Sequence, residues 1–297
     1  MWETNFNAAL DALGKKLWQS LPQNFRNEYF RLHRLGKPPR SILIHSDEMI
    51  LPWELVVPHE MIDGRLITLE PLGTNHILGR WKPALPIKPQ PQRMEVRRFC
   101  VLNPRYSGVA NLDWAQEEAA ELKQLFPSLS IISPATIAKV RSDVLARGDI
   151  QMVHFTGYGT YDAANSDLNA LALEDSHPLD ANQFVGSRLA AEGQPLVYLN
   201  ACAVGQTGMV IGRMGGFAAN LLDSGASGVI APYWPIHDDR AKEFSLALYV
   251  KLKLGRAVGE ALQELRQEHP RDSTCRAFSY SGDPWARANL AFVSASP

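Results

Sequence analysis

No stretch of this sequence is apolar for long enough to cross a bilayer: the longest runs, near residues 41–45 and 194–199, are a handful of residues against the roughly 20 that a membrane helix needs. Charge of one sign is missing too. Thirty Lys and Arg stand against 31 Asp and Glu, so the overall balance recruits neither nucleic acid nor an anionic membrane surface. Cysteine is scarce. Cys100, Cys202 and Cys275 are too few and too scattered for a disulfide framework or a paired zinc motif, and they are expected as free thiols in a reducing compartment, with no metal site. There is no G-x-x-x-x-G-K-[ST] loop, and residues 212–216 carry glycine too sparsely for a phosphate cradle, so no nucleotide or other cofactor is expected. Internal repeats and low-complexity tracts are absent. The opening Met-Trp-Glu-Thr-Asn-Phe-Asn has neither a basic leader nor an apolar signal region, which makes a cytoplasmic location the expectation.

What is present is a 297-residue chain, 45% hydrophobic, enough for a sizeable buried core. From residue 97 onward, short apolar runs alternate with helical patterns, which is how a parallel sheet flanked by helices is written. Strands are expected at 99–102, 129–132, 150–156, 196–200 and 228–233. The runs at 150–156 and 196–200 are nearly continuous and apolar, as buried central strands are. Helices are expected at 113–126, with Asp113 as N-cap, Gln116 closing a capping-box-like pair and Pro127 ending it, and at 136–147, stopped by Gly148 in a left-handed cap. Further helices are expected at 217–224, 239–252 and 258–266, the first two closed by Gly225 and Gly255. The first 95 residues differ: an amphipathic helix, a strand at 41–45, and Leu-Pro-Trp-Glu-Leu at 51–55. Pro83, Pro86, Pro89 and Pro91 then space an extended connector over 82–93. The expectation is one domain, 1–297, in which an N-terminal subdomain, 1–95, packs on the same sheet as a core formed by 96–297.

Reacting groups in open α/β sheets collect beyond the carboxyl ends of the strands. Two strand ends here are unusual. One is His154-Phe155-Thr156-Gly157-Tyr158-Gly159, whose glycines free the backbone to turn sharply. The other is Asn200-Ala201-Cys202-Ala203-Val204-Gly205, where a cysteine after a buried strand stands where a thiolate can be exposed and stabilised. Taken singly, each has a plainer reading. A lone cysteine is most often core, a glycine pair is usually a turn, and a histidine inside a strand is more often a hydrogen-bonded interior group than a catalyst.

Their combination, in this order, resembles the successive signatures of CHAT domains, bacterial relatives of caspases and separases named for their frequent association with tetratricopeptide repeats. The motifs are His-Phe-Thr-Gly-Tyr-Gly at 154–159, Tyr-Leu-Asn-Ala-Cys at 198–202 and Leu-Leu-Asp-Ser-Gly-Ala-Ser-Gly-Val-Ile at 221–230. Tyr-Trp-Pro-Ile-His-Asp-Asp-Arg-Ala-Lys-Glu-Phe at 233–244, Ser-Gly-Asp-Pro at 281–284 and the segment at 51–55 extend the likeness over essentially the whole chain. The resemblance implies a caspase-like three-layer α/β sandwich: a mostly parallel six-strand sheet with helices on both faces. It also implies a cysteine endopeptidase site, in which Cys202 matches the nucleophile. The Gly159 amide, with that of the cysteine, would hold the oxyanion. Trp234 falls where the family forms part of its substrate cleft, and Asp238 or Asp239 would favour a basic side chain or, equally, cap the helix that follows. The implied partners are a protein or peptide substrate and an activator such as a tetratricopeptide-repeat protein, in a proteolytic signalling or defence cascade.

The family's strand motif reads His-x-x-x-His-Gly, and the second histidine is the general base. Here that position is Tyr158. An imidazole near pKa 6.5 takes a proton from a thiol at neutral pH, whereas a phenol near 10 stays protonated and offers no cation to lower a thiol from about 8.5. His154 is a candidate substitute, but four residues of strand separate it from position 158 by roughly 13 Å. His237 is another, with a surface-loop histidine as the plainer reading. Besides a different activity or a small-molecule sensor on this fold, two readings stay open: a pseudopeptidase that keeps a cleft or partner surface, or an active cysteine endopeptidase. The second would have a substitute base, or Tyr158 would be an inactivating replacement in an otherwise competent protein.

Overall fold

The computed structural model describes residues 2–48, 51–82, 93–106, 112–160, 169–203 and 215–294. The proline-spaced connector and the glycine-containing segment after Ala203 lie outside the described residues. In chain order the strands are β1 (Ser41–His45), β2 (His59–Ile62), β3 (Arg65–Thr68), β4 (Ile77–Trp81), β5 (Arg93–Glu95), β6 (Phe99–Leu102) and β7 (Ser130–Ile132). Then come β8 (Met152–Thr160), β9 (Ala170–Ala172), β10 (Pro178–Asp180), β11 (Leu196–Ala203), β12 (Gly228–Pro232), β13 (Phe278–Gly282) and β14 (Arg287–Asn289).

The main sheet runs β1-β4-β13-β12-β11-β8-β6-β7, with β9 and β10 added beyond the end of β8. Within it, β7-β6-β8-β11-β12 are parallel and β13 is antiparallel, which is the expected six-strand core. The sheet is wider than six strands because the N-terminal part does more than pack on it: β4 pairs with β13, and β1 pairs with β4. Side chains alternate across the pleat. Val153, Phe155, Val197, Leu199 and Val229 join one core with Val140 and Val144 and with Phe217 and Leu221 of the helix Gly215–Ser224. Phe99, Val101, Met152, Leu196, Tyr198 and Ile230 face the other way. There they meet Ala119 and Leu122 of the helix Asp113–Leu125, Leu248 and Tyr249 of Asp238–Lys253, and Leu262 of Val258–Glu268. Helices therefore cover both faces.

Local signals hold in some places and shift in others. Thr136 caps its helix by accepting from Lys139 N, and the helix continues as a wider turn over Arg141–Leu145. Gly225 and Gly255 take the left-handed conformation that ends a helix. Gly148 does not. A Cβ there would meet the Glu192 carboxylate at 2.1 Å, so the residue is small for packing. Asp113 is the first helical residue rather than the cap, and Gln116 Nε2 donates to Asn103 Oδ1 at 2.6 Å instead of closing a capping box.

The N-terminal part is fastened by a buried network. Glu54, in the Leu-Pro-Trp-Glu-Leu segment, accepts from Arg80 Nη2 on β4 and from Tyr233 Oη beyond β12, the latter at 2.7 Å. All three side chains are almost fully buried. Burial opposes the charge on Glu54, but Arg80, Arg266 and the Tyr233 hydroxyl outweigh it and hold the carboxyl below its ordinary range.

Candidate active site

β8 and β11 run parallel at the centre of the sheet, in register from Leu196 opposite Met152 to Ala203 opposite Gly159. Thr156 therefore stands opposite Asn200, and Tyr158 opposite Cys202. Neighbouring strands are about 4.8 Å apart, so the fold brings residues 156–159 and 200–203 side by side at the carboxyl ends of the central strands.

Both strands are longer than the sequence patterns suggest. β8 continues through the two glycines, and Gly159 and Thr160 also pair with Leu171 and Ala170 of β9. The sharp turn expected there is absent because β9 gives the backbone a second partner. Gly157 serves a close approach: a Cβ would lie 2.6 Å from Tyr106 Oη and 2.9 Å from the Phe155 ring. Tyr106 Oη accepts from Tyr158 N at 2.9 Å and donates to Ala172 O at 2.8 Å, and the Tyr106 and Tyr158 rings lie 4.8 Å apart. One side chain thus ties the end of β8 to β9.

Beneath this edge lies a buried carboxylate that sequence reasoning missed. Glu118, 1% exposed, accepts on Oε2 from Thr156 Oγ1 at 2.7 Å and from Asn200 Nδ2 at 2.9 Å. Its Oε1 accepts from Ser245 Oγ and lies 3.4 Å from His154 Nε2. Burial raises its pKa. The attraction of His154, with hydrogen bonds from Ser245 and Thr156, outweighs burial and keeps the carboxyl below the usual carboxylate range. The sequence did carry a signal. Ala115, Glu118, Ala119 and Leu122 recur at helical spacing, which puts the glutamate on the buried stripe.

His154 is an interior histidine. It is fully buried, its Nδ1 lies 3.0 Å from Tyr249 Oη, and its ring stacks on Tyr198 at 4.8 Å. It stands opposite Tyr198, four residues before the Cys202 pairing, so it does not reach the thiol's strand position. Trp234, expected in the cleft wall, is 5% exposed and packs edge-on to Phe6 at 5.6 Å, which leaves little of it for a substrate. Asp238 and Asp239 open the helix Asp238–Lys253 behind His237 at the N-cap position. Asp239 is exposed, where negative charge suits the helix dipole. The other two thiols are inert. Burial pushes Cys100 and Cys275 up to about 12. The site thus sets a cysteine opposite a phenol. A phenol there can donate a hydrogen bond.

Solved structures share this architecture at identities that speak to fold alone. Gingipain R, an Arg-specific cysteine proteinase, matches with a TM-score of 0.53 and 14% identity over 96% of this chain and 76% of its own. A complex of the pro- and mature domains of the Porphyromonas gingivalis protein gives 0.55 and 12%, over 96% and 77%. Separase from a Saccharomyces cerevisiae separase–securin complex gives 0.50 and 14% over 82% of this chain, which spans 16% of that one. No curated protein matches by sequence. The family model described as CHAT domain matches residues 12–293, and the chain belongs to that family of caspase-like fold.

Proposed function

We propose that this CHAT domain is a strongly impaired peptidase or pseudopeptidase that keeps the cleft of a cysteine endopeptidase and works in a bacterial proteolytic signalling or defence system. The observation that carries the reading is the register of β8 and β11, which sets Tyr158 opposite Cys202. Cys202 is the nucleophile position of that cleft and Tyr158 the base position. The ligand is a protein or peptide, and a tetratricopeptide-repeat or other protein is the activator or partner. The protein acts in the cytoplasm, a reading with which the absence of a membrane-length apolar helix among the described residues agrees.

A second reading, an active endopeptidase, draws support from the retained cysteine and the intact hydrogen-bond network under it. A substitute base would then be needed, and His154 is committed to Glu118 and Tyr249. Tyr158→His separates the two. A histidine there has both reach and pKa to activate the thiol, and a general base contributes about 10² to 10⁴ in rate. The variant is expected to cleave members of a peptide library that the native chain leaves intact, and to be alkylated at Cys202 near neutral pH. Equal cleavage by both forms, abolished by Cys202→Ala, would identify another base and overturn the pseudopeptidase reading.

A further inference from the structure

The two ends of the main sheet are finished differently. β7 is three residues long and lies between Pro127 and Pro134, which is how an edge is kept from pairing with another chain. β1 has neither device. Its five residues, Ser-Ile-Leu-Ile-His, hold no proline, lysine or acid, and it pairs on one side only, with β4. Two hydrogen bonds show which backbone groups the free side presents: Ile77 N donates to Arg40 O and Ser46 N to Trp81 O, both at 3.1 Å. The N–H and C=O of one strand residue point to the same side, so the even-numbered residues of β1 face β4, and Ser41, Leu43 and His45 face outward. Their N–H and C=O groups meet no partner among the described residues. The Leu43 side chain is 43% exposed, and Ile42 and Ile44, on the opposite face, are half-buried against the N-terminal core.

We propose that β1 is the interface of a homodimer, formed when β1 of a second copy of this chain adds antiparallel to it about a two-fold axis at Leu43. Outward groups then meet outward groups: Leu43 stands opposite its own copy, Ser41 stands opposite His45 on either side, and these pairs exchange about six hydrogen bonds in all. The same register places Ile42 opposite Ile44 in the closer, non-hydrogen-bonded pairs, so both faces gain apolar cross-strand contacts. Charge favours a second copy as the occupant. β1 is preceded by Lys37 and Arg40 and followed by Asp47 and Glu48, all exposed. Antiparallel pairing lays the basic flank of one copy along the acidic flank of the other at both ends, whereas parallel pairing would set like against like. A five-residue strand is small beside the roughly 800 Å² per partner of a standard interface, so the expected Kd is on the order of 10 µM.

Sedimentation of the native chain over about 1–300 µM, which brackets that Kd, should show monomer giving way to dimer. Leu43→Pro removes an outward N–H and leaves the bonds to β4 in place, the one setting in which an edge strand tolerates proline. It should keep the native circular dichroism and hold the chain monomeric. Leu43→Lys, which sets two like charges opposite each other, should do the same and serves where the proline variant does not fold. Asp47→Lys, whose effect the two-fold axis counts twice, should weaken the dimer several-fold. A native chain that stays monomeric throughout overturns the proposal, even where an added extended peptide protects the Leu43 amide from hydrogen exchange, since the edge then belongs to another protein. A dimer that survives both Leu43 variants forms elsewhere and overturns it as well. A dimer unchanged or tightened by Asp47→Lys refutes the antiparallel pairing.

Discussion

Arg80→Met tests how the N-terminal part is held to the sheet. Arg80 is 3% exposed, donates to Glu54 from Nη2 and to Leu51 O from Nη1 at 3.2 Å, and lies 5.5 Å from the Tyr233 ring centre. Methionine fills similar space but leaves the Glu54 carboxylate buried with the Tyr233 hydroxyl as its main donor. Removing one partner of a buried pair costs about 3–5 kcal/mol, since the other charge is stranded away from water. At roughly 2–3 °C per kcal/mol for a chain of this size, the melting midpoint should fall by about 10 °C. The double variant Glu54→Leu with Arg80→Met removes both charges and should recover most of the loss. Thermal and urea unfolding followed by circular dichroism measure both. The exposed pair Arg31–Glu28 is the comparison, because water screens such a pair and leaves it little net effect on stability. If Arg80→Met costs no more than Arg31→Met, the ion pair does not hold the N-terminal part in place.

Two further outcomes are expected. Gly157→Ala should destabilise by about 1–3 kcal/mol by overpacking, since its Cβ would lie 2.6 Å from Tyr106 Oη. Tyr106→Phe in the same chain should relieve part of that cost, and additive losses in urea midpoints would show that the contact is not the cause. Glu54 and Glu118 both have folded pKa values below the ordinary 4.5, so their contribution is present above that pH and is lost as pH falls through the folded values. Urea midpoints from pH 7 to pH 3 should therefore decline less in the Glu54→Leu, Arg80→Met double variant than in the native chain, and parallel declines would refute the assignment to Glu54.

The central strands were legible because a parallel strand buried on both faces is apolar along most of its length, and 150–156 and 196–200 nearly are. The order of the motifs, with Cys202 and Tyr158 at two strand ends, also lay in the sequence. β13 did not stand out: Phe-Ser-Tyr-Ser-Gly alternates with serine, and its serine and glycine positions all pair across to β12 with no apolar signature of their own. β9 and β10, three residues each, take their strand character from the pairing that extends β8 past Gly159. Chain packing alone decided three points about the site. It made Gly157 a clearance for Tyr106. It turned Trp234 into core against Phe6, a residue over 200 positions away. It also buried Glu118 under the strand ends, where a carboxylate on a helix stripe survives because Thr156, Asn200, Ser245 and His154 arrive from two strands and a second helix to satisfy it. Sequence periodicity reports which face of an element turns inward. Which partners meet it there is a property of long-range contacts.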